Sequence, residues 1–194
     1  DGETANLAVQ AALTGHLVFS TLHTNSSAGV LPRLLDMEIE PFLIASTVNT
    51  IIGQRLVRRV AAKRDAYWSS PLETKSILDN VGHLLPKTKE EVAQVSADLG
   101  YKDLPLANQT AYTLVKGHDT PASPRGYSGR AGLYEVMDVT EEIRELIVKR
   151  STSGEIQRKA VEQGMITMRQ DGYLKALQGL TTLEEVNRVT SDTA

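Results

Sequence analysis

Thr14-Gly15-His16-Leu17-Val18-Phe19-Ser20-Thr21-Leu22-His23-Thr24-Asn25 is the stretch on which the fold turns. Leu17, Val18 and Phe19 are apolar and β-prone, with a glycine before them and a run of hydroxyls and an imidazole after. That pattern predicts a short buried strand ending in a polar cluster. Upstream, Ala5, Leu7, Ala8, Ala11 and Ala12 put small or apolar side chains at helical spacing along residues 3–14, and Gly15 suits the helix end. Downstream, a second helix is expected from Ser26 or Ser27 to about Met37, and Pro41 opens another to about Asn49. Residues 50–60 then turn from apolar to basic. Helix, strand and helix in this order predict an α/β sheet with helices packed on it. Ligands of such sheets bind beyond the carboxyl ends of the strands, where Ser20, Thr21, His23 and Thr24 fall. Hydroxyls there can hydrogen-bond an anion, and an imidazole can donate to a phosphate oxygen or position water. The same residues would equally satisfy an ordinary turn.

The chain has 194 residues and is 41% hydrophobic, enough for one core of middling size or two small ones. Its formal net charge is −3, so it lacks the basic excess of a bulk nucleic-acid binder, and no nucleic acid is expected as partner. With no cysteine, disulfides and thiolate metal sites are excluded. No basic leader precedes an apolar run, and no stretch reaches the roughly 18 apolar residues of a membrane span, so no membrane insertion is expected. The chain has no initiator methionine and begins at Asp1 within what reads as a continuing helix, which points to a fragment or a processed piece.

Residues 63–128 differ in character, being polar and punctuated. Ser70-Pro71-Leu72-Glu73 and Thr88-Lys89-Glu90-Glu91 are capping boxes, and Val92, Val95 and Leu99 follow at helical spacing. A small helical appendage on two stalks is expected, with a core around Tyr67, Trp68, Leu72, Ile77, Leu78, Leu84, Leu85 and Leu99. His83, or His118 with Asp119, could in principle hold a metal, though their scatter suits surface residues better. A strand is expected at residues 131–137, followed by short helices opened by the boxes at Thr152, Thr167 and Thr181.

Five blocks carry a resemblance to the motor ATPases of type II secretion and type IV pilus assembly. Residues 14–25 resemble that family's His box. Asp1-Gly2-Glu3-Thr4-Ala5 resembles the tail of its Walker B segment. Gly53-Gln54-Arg55-Leu56-Val57-Arg58-Arg59, the run from Gly126 to Val136, and the pair Gly164–Tyr173 and Gly179–Val186 match in order. The resemblance implies a partial RecA-like P-loop ATPase core lacking its upstream strands (residues 1–62), a helical appendage where the family binds zinc (63–128), and a strand with a C-terminal helical bundle (129–194). It implies His23 as the phosphate-sensing residue and His16 as its supporting partner, with a capping or packing role for His16 as the alternative. Thr21 and Thr24 would bind nucleotide, Arg55 would reach nucleotide or a neighbouring subunit, and Arg130 would touch nucleotide or form an ordinary salt bridge. Arg58 and Arg59 suit a solvated basic edge better than a ligand site. Further implications are MgATP as cofactor, a hexameric ring, an inner-membrane platform protein as partner, and a cytoplasmic place against the bacterial inner membrane.

The sequence also departs from that pattern. The family's two Cys-x-x-Cys pairs align with Ala61 and Arg64 and with Asp119 and Ala122, so no zinc is expected. Glu38 stands where the family commonly has glycine. No Gly-x-x-x-x-Gly-Lys-Ser/Thr occurs in the 194 residues, and the catalytic Walker B glutamate would lie before Asp1. This chain alone is therefore expected not to hydrolyse ATP, although its parent would. A non-enzymatic docking module of the same machinery is the alternative. The appendage and the ending Thr-Thr-Leu-Glu-Glu-Val suit assembly and secretion better than a retraction motor.

Overall fold

The computed structural model describes residues 2–191, so the Asp1 on which the fragment reading rests lies outside them. Helix α1 spans Gly2–Leu13. It closes at Gly15, whose φ of 91° is open to glycine at no steric cost. The N–H groups of Gly15 and His16 return to the carbonyls of Ala12 and Ala11, both at 3.1 Å, the paired bonds of a Schellman end. Helix α2, Val30–Asp36, ends the same way on a different residue. Glu38 occupies the left-handed position with φ 62°. It donates to Leu35, and Ile39 donates to Leu34, while Ile39 is buried with Leu34 packed on its cluster. The glycine of the related pattern thus has a physical reason, and Glu38 meets the same geometry against its steric preference. Helix α3, Pro41–Thr47, starts at its proline as expected.

The expected strand at Leu17–Phe19 does not form. Residues 16–24 are irregular, and Leu17 and Phe19 are 83% and 88% exposed. The described residues hold two two-stranded sheets, β1 (Thr50–Val60) with β4 (Tyr127–Asp138) and β2 (Arg64–Trp68) with β3 (Thr113–Gly117). Neither includes this segment. Three apolar residues without a neighbouring edge gain neither ladder hydrogen bonds nor burial, so β propensity alone leaves them open.

The chain divides into two compact units. The first comprises residues 2–54 with 134–167. Its core gathers Leu31, Ile39, Ile44, Met137, Ile143, Ile147 and Ile156. Helices α6 (Glu141–Val148) and α7 (Ser153–Glu162) complete it, opened by Thr140 and by the predicted capping box of Thr152 and Glu155.

The second unit comprises residues 55–133 with 168–191. It contains helices α4 (Pro71–Val81), α5 (Val92–Asp98), α8 (Met168–Leu177) and α9 (Leu183–Thr190). The Ser70 box forms as predicted, but Thr88 caps nothing. Glu91 turns its carboxylate back to the N–H groups of Lys87 and Thr88, and α5 begins at Val92. The last box is displaced by one residue, since Thr182, not Thr181, accepts from the N–H of Glu185. Strands β2 and β3 pair antiparallel from Arg64↔Gly117 to Trp68↔Thr113. The core of the middle region is Ile77, Val81, Leu85, Leu104, Tyr112 and Leu114, packed with Tyr173, Leu174 and Val186. Ile77 and Leu85 were expected there. Trp68 and Leu72 are instead 71% and 79% exposed, and Tyr67 and Leu78 are each 38% exposed. All five residues of β2 are exposed, Trp68 among them, and Leu72 follows Pro71 at the exposed start of α4. Gly172 lets α8 meet α9: a β-carbon there would lie 2.5 Å from Val186 Cγ1.

Candidate functional site

In the first unit, α1, residues 16–24, α2 and the start of β1 enclose a cavity of about 670 Å³. His16, Thr21 and Thr24 line it together with apolar Val9, Leu34 and Ile51. His23 is exposed beside these residues, does not line the cavity, and makes no hydrogen bond or ion pair with the described residues.

The hydrogen bonds of this segment are local. His16 Nδ1 lies 3.0 Å from Thr14 Oγ1 and 3.3 Å from the Ala11 carbonyl, so one nitrogen of its ring braces the end of α1. Thr14 Oγ1 donates to the Ala11 carbonyl at 2.9 Å. Thr24 Oγ1 donates its single proton to the Ser26 carbonyl at 3.0 Å, which leaves it an acceptor toward any ligand. Thr21 is exposed, with its hydroxyl uncommitted among the described residues.

Beneath this loop lies a residue that the sequence reading passed over. Glu135 is buried, and its Oε1 accepts from both the N–H and the hydroxyl of Ser27, at 2.6 and 2.8 Å. The signal was available in the period of the strand. Leu133, Glu135 and Met137 alternate with exposed Tyr134, Val136 and Asp138, so the glutamate holds an inward position between two apolar ones.

Arg55 and Arg130 belong to the second unit. Arg55 donates through Nη1 to the Val189 carbonyl near the end of α9. Arg130 is exposed on β4 and has no partner among the described residues. Arg58, expected at a solvated edge, is instead built into a knot. Its backbone N–H and its Nη2 donate to buried Glu185 at 3.0 and 2.7 Å, and Arg188 donates two more bonds to the same carboxylate. The Arg58 guanidinium also lies 4.1 Å over the ring of Tyr127, whose hydroxyl meets that of Thr182 at 2.8 Å. Burial, the largest single influence, pushes the Glu185 carboxyl up, but the bonds from Arg188 and Arg58 outweigh it and hold the pKa at about 2. Three of the resembling blocks meet in this knot, where each oxygen of the Glu185 carboxylate accepts two donors while the Arg58 Nε stays buried without a partner among the described residues.

At the neck of the middle region, the positions of the absent thiols are bridged by the backbone. The Ala61 N–H donates to the Gly126 carbonyl and the His118 N–H to the Lys63 carbonyl, both at 2.9 Å. Gly117 and Gly126 cross so closely that a β-carbon on Gly117 would lie 1.9 Å from the Gly126 oxygen. His118 pairs with Asp65 at 2.8 Å, and Asp119 accepts from the Arg125 N–H. His83 lies 3.5 Å from Gln170. Among the described residues no three metal-binding side chains cluster, and no helix is long and apolar enough to cross a membrane.

The fold is shared with part of two solved ATPases. It superposes on the pilus retraction motor PilT with bound ADP at a TM-score of 0.55, with 23% identity, covering 97% of this chain and 36% of that one. The Legionella pneumophila ATPase DotB follows at 0.54, with 20% identity, covering 99% of this chain and 36% of that one. The chain belongs to the family of type II/IV secretion system proteins, whose model matches residues 1–188. It is 41% identical over 193 residues to type II secretion system protein E of Xanthomonas campestris, covering 99% of this chain and 30% of that protein. It is 39% identical to the type IV pilus assembly ATPase PilB of Myxococcus xanthus, covering 96% and 29%. To type II secretion system ATPase E of Vibrio cholerae it is 38% identical, covering 99% and 33%. The chain therefore spans about a third of the length of these relatives.

Proposed function

We propose that this chain is part of a motor ATPase that powers type IV pilus assembly or type II secretion, and that the whole protein hydrolyses MgATP as a cytoplasmic ring of six. It would work on an inner-membrane platform protein without entering the bilayer or binding nucleic acid. The observation that carries this reading is the 41% identity, along 99% of the chain, to a type II secretion protein E. Identity of 38–39% to pilus assembly ATPases leaves the two machineries side by side.

The nucleotide supplies the phosphoryl group that is transferred. The residues here fit the outer face of such an anion and not its cradle: hydroxyls and an uncommitted imidazole are present, and the 194 residues contain no glycine-rich loop. His23 can donate a ring N–H to a phosphate oxygen or hold an attacking water, and Thr21 can donate its hydroxyl. His16, with Nδ1 at the end of α1, would present its other nitrogen and act as a support. Thr24 can accept from water. Arg130 is available to nucleotide, whereas Arg55 would have to keep or exchange its bond to Val189. Catalysis in this reading is positioning and charge stabilisation, with no covalent step by the protein. By itself this chain would not turn over ATP, and no zinc would bind at its neck.

The exposed Leu17 and Phe19 favour a second reading, a docking module without catalysis, because they offer apolar surface at the loop that would otherwise be catalytic. MgATP turnover separates the two. The intact protein should hydrolyse ATP, His23→Ala should lower the rate at least about a hundredfold, and the 194-residue chain should be inert. An inert intact protein, or a His23→Ala rate equal to wild type, would leave the docking reading in possession.

A further inference from the structure

We propose that Glu135 is a positioning residue for the loop that carries His23, acting through Ser27. The inference rests on the reading of that loop as part of the ATPase site. Ser27 is wholly buried, and both of its donors converge on one oxygen of Glu135, a residue 108 positions away in sequence. The hydroxyl has one proton, and the carboxylate at 2.8 Å takes it in preference to Met165 Sδ at 3.7 Å. From this anchor the loop is knitted outward. Gly29 N–H donates to Ser26 Oγ at 3.2 Å, and Thr24 Oγ1 donates to the Ser26 carbonyl at 3.0 Å. Thr24 lines the cavity and His23 precedes it. A chain of hydrogen bonds therefore runs from the core to the neighbour of His23.

Packing alone does not call for a carboxylate here. Its flanking inward positions on β4 are Leu133 and Met137, and burying an acid is costly unless its oxygens are engaged. What a glutamate supplies is an acceptor for a backbone N–H and a hydroxyl at once. The Ser27 N–H would otherwise be an orphan donor in the core. Glu135 touches no reacting atom in this scheme. It fixes where the loop leaves the core, and small displacements of such a support reach the site as lost alignment.

Steady-state MgATP hydrolysis by the full-length protein tests this. Glu135→Ala is expected to lower kcat about 30-fold and to change KM for MgATP by less than about threefold. Glu135→Gln, whose amide oxygen can still accept both bonds, should stay within about threefold of wild type. Ser27→Ala keeps the backbone bond and should lose about fivefold. Combining Glu135→Ala with His23→Ala should cost no more than about twofold beyond His23→Ala alone, because both remove the same alignment. Multiplying losses in the combined variant, or a glutamine variant as poor as alanine, would overturn the proposal. If Glu135→Ala does not fold, Ser27→Ala enters the same cycle with His23→Ala and decides the matter. A silent His23→Ala sinks the site reading and this inference together. A damaged His23→Ala beside silent Glu135→Ala and Ser27→Ala sinks the inference alone.

Discussion

Residues 16–24 and the knot around Glu185 are the two places where polar residues of the resembling blocks concentrate, and they are built in opposite ways. In the first, the bonds are short-range, an imidazole stands uncommitted, and two large apolar side chains face water. In the second, two arginines converge on one buried carboxylate, and one of them lies over an aromatic ring. A density of motif residues therefore does not separate a ligand site from a structural centre. What separates them is how far the acceptor is engaged: both oxygens of Glu185 already hold arginine donors, even though the Arg58 Nε is left without a partner, whereas His23 makes no bond among the described residues.

Substitutions can sharpen or break this contrast. The largest effect is expected from Glu185→Ala, which leaves Arg58 and Arg188 without their carboxylate and should lower stability by about 3 kcal/mol in urea unfolding at neutral pH. The pH dependence carries the same signature. A carboxyl held at about 2 instead of 4.5 contributes stability that is fully present above pH 4.5 and is lost as pH falls toward 2. The loss is on the order of 3 kcal/mol, and Glu185→Ala should remove this part of the acid limb. If it leaves the acid limb unchanged, the two arginines do not hold the carboxylate as described. Gly172→Ala should cost about 2 kcal/mol by driving α9 from α8, with the loss of amide protection concentrated in α8 and α9. Glu38→Gly should raise stability by about 1 kcal/mol, since glycine relieves the left-handed position. Leu17→Ser and Phe19→Ser should each change the unfolding free energy of this chain by less than about 0.5 kcal/mol in urea titration. A loss above 1 kcal/mol at either would mean that these side chains are covered, and the first half of the comparison would fall.

Much of the architecture was legible in local signals. Gly15, Ser70 and Thr152 mark helix ends with hydrogen bonds that form where the residues stand, and Pro41 marks one by its fixed φ and missing N–H. What misled was information that lies in a partner. Leu17–Phe19 has strand composition, but a strand exists only with a neighbour. Strands β2 and β3, whose pairing joins residues about 45 to 53 apart, passed as stalks of a helical region. At the site, Thr21 and Thr24 came from the strand-end rule and His16 from the resemblance; the three line one cavity although the expected strand does not form. Glu135 was missed because its importance comes from Ser27, 108 residues away. Arg58 looked like surface charge because Glu185 is its neighbour only in space.

The crossing of Gly117 and Gly126 has a further consequence. With the Ala61 N–H on the Gly126 carbonyl, the chain leaves β1 and returns to β4 through points one hydrogen bond apart. For those two strands, the whole excursion between them is closed at its root like a loop tied off with thread. Lengthening or shortening it changes the entropy of joining the strands only logarithmically. The neck itself admits no side chain at either glycine, so its crossing constrains the root of the excursion, while residues packed on Tyr173, Leu174 and Val186 constrain its interior and only the exposed remainder is free to vary in length.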